Sequence, residues 1–114
     1  MFMQIKIIDH DGALNDSTKL FIDDQIKFGL SRFAQLIQSV VFQVRKQDDN
    51  FGAPQSHCSL TLSLPTGDNV EINTQSDELS VGINSVINRS KRTMDRRRKN
   101  AQLDHHNPSL HTHK

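Results

Sequence analysis

Residues 57–64 read His57-Cys58-Ser59-Leu60-Thr61-Leu62-Ser63-Leu64, and apolar and small polar side chains alternate through them without a break. A period of two is that of a strand: Cys58, Leu60, Leu62 and Leu64 point one way, Ser59, Thr61 and Ser63 the other. Small hydroxyls on the second face suit solvent, so the sheet is expected to be covered on one side only. Working outward, Pro65-Thr66-Gly67-Asp68 is a tight connection, and Val70 and Ile72 mark a further strand. Upstream, QDDNFGAPQS (47–56) is a loop by its Asp, Asn, Gly and Pro content. Before it, SVVFQVRK (39–46) places Val40, Phe42 and Val44 on one face.

The flanks carry a different period. Residues 3–8 form a first strand, with Met3, Ile5 and Ile7 on one side. Asn15, Asp16 and Ser17 offer N-caps for a helix that the spacing of Ile22, Ile26, Leu30 and Phe33 extends to about Leu36. Gly29 weakens that helix by up to ~1 kcal/mol relative to Ala. Ser76 and Asp77 can cap a last helix beginning near Glu78, in which Leu79, Ile83, Val86, Ile87, Ser90 and Met94 keep the 3.6-residue period. The order β-α-β-β-β-α predicts an α+β fold: a four-stranded mixed sheet with two helices on one face. A right-handed crossover makes the first two strands parallel. Residues 1–99 make one domain, and 100–114 are expected to be a disordered, polar, His-containing tail.

The chain has 114 residues, of which 34% are hydrophobic, and its mean hydropathy is -0.59. One small core is what that composition supports. Cys58 is the single cysteine, which excludes an internal disulfide and argues against a cysteine-based zinc site. No basic segment leads a long apolar run at the start, and no stretch has the roughly 18 apolar residues of a membrane span. The expectation is a cytoplasmic protein without a membrane partner.

The net charge of +1 conceals a segregation. Residues 1–88 hold 6 Lys/Arg and 11 Asp/Glu, a net of -5. Residues 89–99 hold Arg89, Lys91, Arg92, Arg96, Arg97, Arg98 and Lys99 against Asp95, a net of +6. At about 100° per residue, Arg89, Arg92, Arg96 and Lys99 fall within an arc of roughly 80°, centred roughly 150° from the apolar stripe. They form an outward row of cations spaced about 5 to 6 Å apart, near the spacing of phosphates along a strand. Arginine grips phosphate bidentately, so the row points to a nucleic acid. Two cations would suffice to complement a helix dipole; seven crowd one another. Arg97 continues the core side, where burial is improbable, so the last turn is expected to project beyond the sheet and present Arg97 and Arg98 as well.

Other features carry less. His105, His106, His111 and His113 lie in the polar tail and are read as solvated rather than as metal ligands. Cys58 is read as core, His10 as a turn residue. The aspartate pairs at 9/11, 23/24 and 48/49 match no carboxylate site, and no catalytic residues, cofactor or metal are expected. Trp and Tyr are absent, so stacking on bases would need exposed Phe.

Three stretches, MQIKIIDHDGALNDSTKLFI (3–22), VVFQVRK (40–46) and INSVINRSKRTMDRRRK (83–99), resemble the short ribosome hibernation-promoting factors, including the ribosome-associated inhibitor A type. The resemblance covers about residues 3–99 and implies the same β-α-β-β-β-α fold. It implies binding to the small ribosomal subunit and its rRNA in the channel used by tRNA and mRNA, silencing translation in stationary phase or stress. Arg89, Arg92 and Arg96 match the family's RNA-facing ladder, Lys99 extends it, and Arg45 and Lys46 match a basic end of the second strand. Gln25 and Phe28 stand where cations are common in the first helix, and Lys27 and Arg32 are their nearest replacements. Ser80 and Ser90 stand where an aromatic and an apolar residue are usual. A monomer with no small-molecule substrate is expected. A double-stranded-RNA-binding module and a protein-interaction domain docking an acidic partner are the alternatives.

Overall fold

In a computed structural model describing residues 3–12 and 14–106, with side chains as far as Asn100, six elements and a short 3-10 turn follow one another. They are strand Gln4–Asp9 (β1), helix Asp16–Gly29 (α1), the 3-10 turn Ser31–Phe33, strands Ser39–Asp48 (β2), Pro54–Ser63 (β3) and Asn69–Ser76 (β4), and helix Leu79–His106 (α2). The sheet order is β1-β2-β3-β4. β1 pairs parallel with β2, and the two later pairs are antiparallel.

The register follows from the alternation. Ile7, Phe42, Leu60 and Ile72 lie level across the four strands, as do Ile5, Val40, Leu62 and Val70. Both rows face the helices. From α1 come Ile22 and Ile26, from the 3-10 turn Phe33, and from α2 Ile83, Val86, Ile87 and Met94, all buried in one core with Cys58. The expected α+β architecture is therefore the one observed.

Local chemistry sets the element ends. The Asn15 side chain accepts from the Thr18 amide at 2.8 Å and starts α1. The Glu78 amide donates to Ser76 Oγ at 3.2 Å ahead of α2. Three boundaries differ from expectation. α1 stops at Gly29 rather than near Leu36: Ser31 Oγ donates to the Phe28 carbonyl, and the tighter 3-10 turn brings Leu30 and Phe33 into the core together. Gly29 also has a packing reason, because a Cβ there would stand 2.6 Å from Ile87 Cγ2. The loop expected over 47–56 shrinks as β2 and β3 pair out to Asp48 opposite Pro54. Asp49 Oδ1 accepts from the amides of Phe51 and Ala53, and Gly52 takes φ 82°, so side-chain bonds close a short turn. Finally, α2 runs to His106, beyond the Lys99 boundary; residues 107–114 lie outside the described part, as do the side chains of His105 and His106.

Two serines are buried, Ser59 on the far sheet face and Ser90 in the core. Ser90 is fully buried, and its hydroxyl donates to the Val86 carbonyl one turn back at 2.7 Å. Cys58 is buried beneath α2, where a Cβ on Gly82 would lie 3.1 Å from its sulfur; burial pushes the thiol up to about 11. That is the core role expected of it. Among the described residues no helix is long and apolar enough to cross a membrane.

Candidate nucleic-acid interface

α2 runs back along β4, and this path sorts its cations into three groups. On the β4 side, Arg89 Nη1 donates to the Asn73 carbonyl at 2.7 Å, and Arg97 pairs at 3.1 Å with Asp68 in the turn between β3 and β4. On the α1 side, the stem of Lys91 lies beside Gly29. Also on that side, Arg98 pairs with Asp95 at 2.9 Å and lies 5.2 Å from the centre of the Phe33 ring. Between them, Arg92, Arg96 and Lys99 face outward, exposed. Arg92 and Arg96 form no ion pair with any described residue; Lys99 lies 3.8 Å from Asp95.

Of the outward row expected from the helical wheel, Arg92, Arg96 and Lys99 are found facing outward, while Arg89 is exposed but turned onto the edge of β4. The projecting last turn is not as expected. Arg97 and Arg98 are both tied to the domain, because Asp68 reaches the core-side guanidinium from the neighbouring turn and Phe33 supplies a ring under the other. A solvated carboxylate beside the apolar side of the helix solves the burial problem that a projecting turn was invoked to avoid.

In the sequence Asp95 stands out only as the one acidic residue among seven cations. It is a hub: Arg98, Lys99 and, at 4.0 Å, Arg32 all approach its carboxylate. Arg32 also stands 4.9 Å from the Phe33 ring centre, so two guanidiniums share one aromatic ring and one carboxylate. This joins Arg32 to the basic end of α2. Arg32, Arg98 and Leu36 line an open groove of about 530 Å³ between the 3-10 turn and α2.

The remaining candidates are elsewhere. Lys27 is held by Asp23 at 2.9 Å on its own helix; that hydrogen bond first, and the same carboxylate's charge second, raise its pKa above the ordinary lysine value. Arg45 and Lys46 are exposed near the far end of β2. Arg45 lies opposite His57 on the uncovered sheet face. Lys46 shares a cavity of about 370 Å³ with Asp9, Asp11 and Asp77, and its amide donates to the Asp11 carboxylate. Ser39 and Asn69 mark the Arg97 end of the sheet, and six residues of strand, about 20 Å, separate that level from Arg45. The fold keeps these two cations away from Arg96 and Lys99, but Asn73, which Arg89 bonds, lies only two residues along from the level of Arg45 and lines a pocket with it.

His10, read as a turn residue, occupies the turn after β1 and hydrogen-bonds Gln43 Oε1 at 2.9 Å. Among the described residues, no group of three His, Cys, Asp or Glu could hold a metal. The resemblance already put Phe28 on the exposed side of α1, but sequence reasoning missed Leu20 and Phe21 beside it; the three stand 82%, 66% and 46% exposed. The spacing of Phe21 and Phe28, seven residues apart and off the Ile22–Ile26 side, was the available signal.

These features define a small α+β domain with one face of its sheet bare and a cationic helix on the other. Solved structures share that fold. A ribosomal subunit interface protein from Coxiella burnetii superposes with a TM-score of 0.66 at 10% identity, over 85% of this chain and 99% of that one. The N-terminal domain of Protein Y from Thermus thermophilus gives 0.60 at 14% identity, over 84% of this chain and 98% of that one. No family model and no curated protein matches the sequence.

Proposed function

We propose that this chain is a ribosome-associated translation-silencing factor of the hibernation type, binding small-subunit rRNA through the outward cations of α2. The observation that carries the reading is the row Arg92 and Arg96, without ion-pair partners among the described residues, flanked by Arg89 and Lys99. The proteins sharing the fold, one of them a ribosomal subunit interface protein, support the choice of RNA.

The mechanism is occupancy. Guanidiniums already held on a rigid helix neutralise rRNA phosphates and release counterions, so affinity falls steeply with salt. Arg89 contributes as a placed group, since the Asn73 carbonyl fixes one nitrogen and leaves the others to donate. Contacts to phosphates position without reading sequence. The bulk of the domain then blocks the tRNA and mRNA channel, and no bond is made or broken. Arg97, Arg98 and Lys91 add field at the same end of the helix. Lys27, held by Asp23, and Lys46, among aspartates, contribute little.

A sucrose gradient of lysate tests this directly. The protein travels with small subunits, and Arg89→Glu, Arg92→Glu and Arg96→Glu together move it to the top of the gradient. Unchanged co-sedimentation of the folded triple variant refutes the site. Equal affinity for a free RNA duplex identifies a general duplex binder instead.

A further inference from the structure

The exposed side of α1 is not built for phosphate. Lys19 and Lys27 are outnumbered by Asp16, Asp23 and Asp24, and Asp23 already holds Lys27. What α1 presents instead is aromatic. Phe28 is 82% exposed and Phe21 46%, on one face of the helix. A lone exposed apolar side chain needs no explanation, but two Phe at this spacing, in a chain with 5% aromatic residues, form a pattern.

The position of Phe28 says what it meets. Its carbonyl accepts from Ser31 Oγ at 3.1 Å, so the ring stands on a fixed backbone. Its neighbour Gly29 is the point of closest approach to α2, against Ile87 and the stem of Lys91. Packed helices lie about 8 to 10 Å apart, so the Phe28 backbone stands about one helix spacing from the Lys91–Arg92 segment of α2. A protein partner would call for a continuous apolar ridge. Here Leu20 adjoins Phe21, but Asp24 and Gln25 lie between that end and Phe28, about 10 Å along the axis, so Phe28 is a separate flat surface.

We infer that Phe28 is a stacking platform for an unpaired RNA base whose backbone lies on the α2 cations, with Phe21 as a second, weaker platform. The inference rests on the RNA reading of α2 and sharpens its substrate class: RNA with unstacked bases rather than uninterrupted duplex. Aromatic rings stack on any base, so the platform adds affinity without sequence preference.

The test compares the full chain's affinity for a short unstructured RNA with that for an abasic ribose-phosphate polymer of equal length. RNA binds about tenfold tighter, the scale of one stacked base. Phe28→Ala and Phe28→Leu abolish that preference and leave the salt slope unchanged. Phe28→Trp keeps it, and because the chain has no other Trp and no Tyr, its emission is quenched as RNA saturates. A preference that survives Phe28→Ala, or an emission that ignores bound RNA, overturns the inference while leaving α2 as the phosphate site. Loss of ribosome binding or of self-association in Phe28→Ala with the RNA preference intact makes the face a protein contact, and overturns it too. If the wild-type chain binds neither polymer, the RNA reading of α2 fails and this inference with it.

Discussion

α1 and α2 lie side by side on the same sheet, and each buries one apolar stripe in the same core. Their outer sides are opposites. α1 offers two phenylalanines and a leucine among charges that nearly cancel, and one of its lysines is held by its own aspartate. α2 offers Arg92 and Arg96 free of ion pairs among the described residues, with further cations restrained on both flanks. The inner sides show what a helix needs in order to fold here; only the outer sides can say what it is for. On α2 the proposed binding and the packing use different sides of the same segment, so each can be broken separately.

The largest effect should come from setting the helices against each other. Arg92→Glu with Arg96→Glu lowers affinity for small subunits by roughly 10²- to 10³-fold at constant salt, whereas Lys19→Glu with Lys27→Glu changes it less than about threefold. Equal losses measured by co-sedimentation would end the distinction between the two outer sides. The next effect probes the inner side of α2 through Cys58. Its folded pKa of about 11 exceeds the ordinary 9.0, so the unfolded chain loses this proton first. The stabilisation is complete below about pH 9 and is lost as pH rises through about 11, amounting to roughly 2–3 kcal/mol. Urea midpoints of the wild type and of Cys58→Ala should converge over that window.

The seam between the helices gives a smaller effect. Gly29→Ala gains less than ~1 kcal/mol of helix propensity at this last residue of α1 but drives a methyl into Ile87, so a net loss of about 1–2 kcal/mol is expected in denaturant unfolding. A stabilised variant would mean the helices are not in close contact there. The smallest effect is that of Asp95→Ala. Its partners are largely exposed, though Asp95 itself is half-buried, so stability falls by about 1 kcal/mol. Releasing Arg32, Arg98 and Lys99 raises affinity for small subunits a few-fold, read from the same co-sedimentation curve.

The strands were legible because the alternation of residues 57–64 forces a register. Once Cys58, Leu60 and Leu62 face inward, the partners at Val44, Phe42 and Val40 have no other way to point. The outward row on α2 was legible for the same reason, since angular position on a helix is fixed by sequence number. Long-range pairings were not. Nothing in the neighbourhood of Arg97 announces Asp68, 29 residues earlier, and nothing near Arg98 announces Phe33. The break in the first helix was hidden too, because Leu30 and Phe33 fit an α-helical period as well as a 3-10 turn. Arg45 and Lys46 entered through a resemblance of sequence, and only the fold shows that Lys46 sits among aspartates while Arg45 lines a pocket with the Asn73 that Arg89 bonds.

Arg89 has a second consequence, which concerns the free protein. β4 is an edge strand with β3 on one side only, and its unpaired carbonyls are a template on which another chain could add a strand. The Arg89 guanidinium occupies the Asn73 carbonyl and places a long charged side chain across that edge. The same residue therefore acts as a gatekeeper against edge-to-edge association. Its loss would be felt in concentrated solution even where no RNA is present.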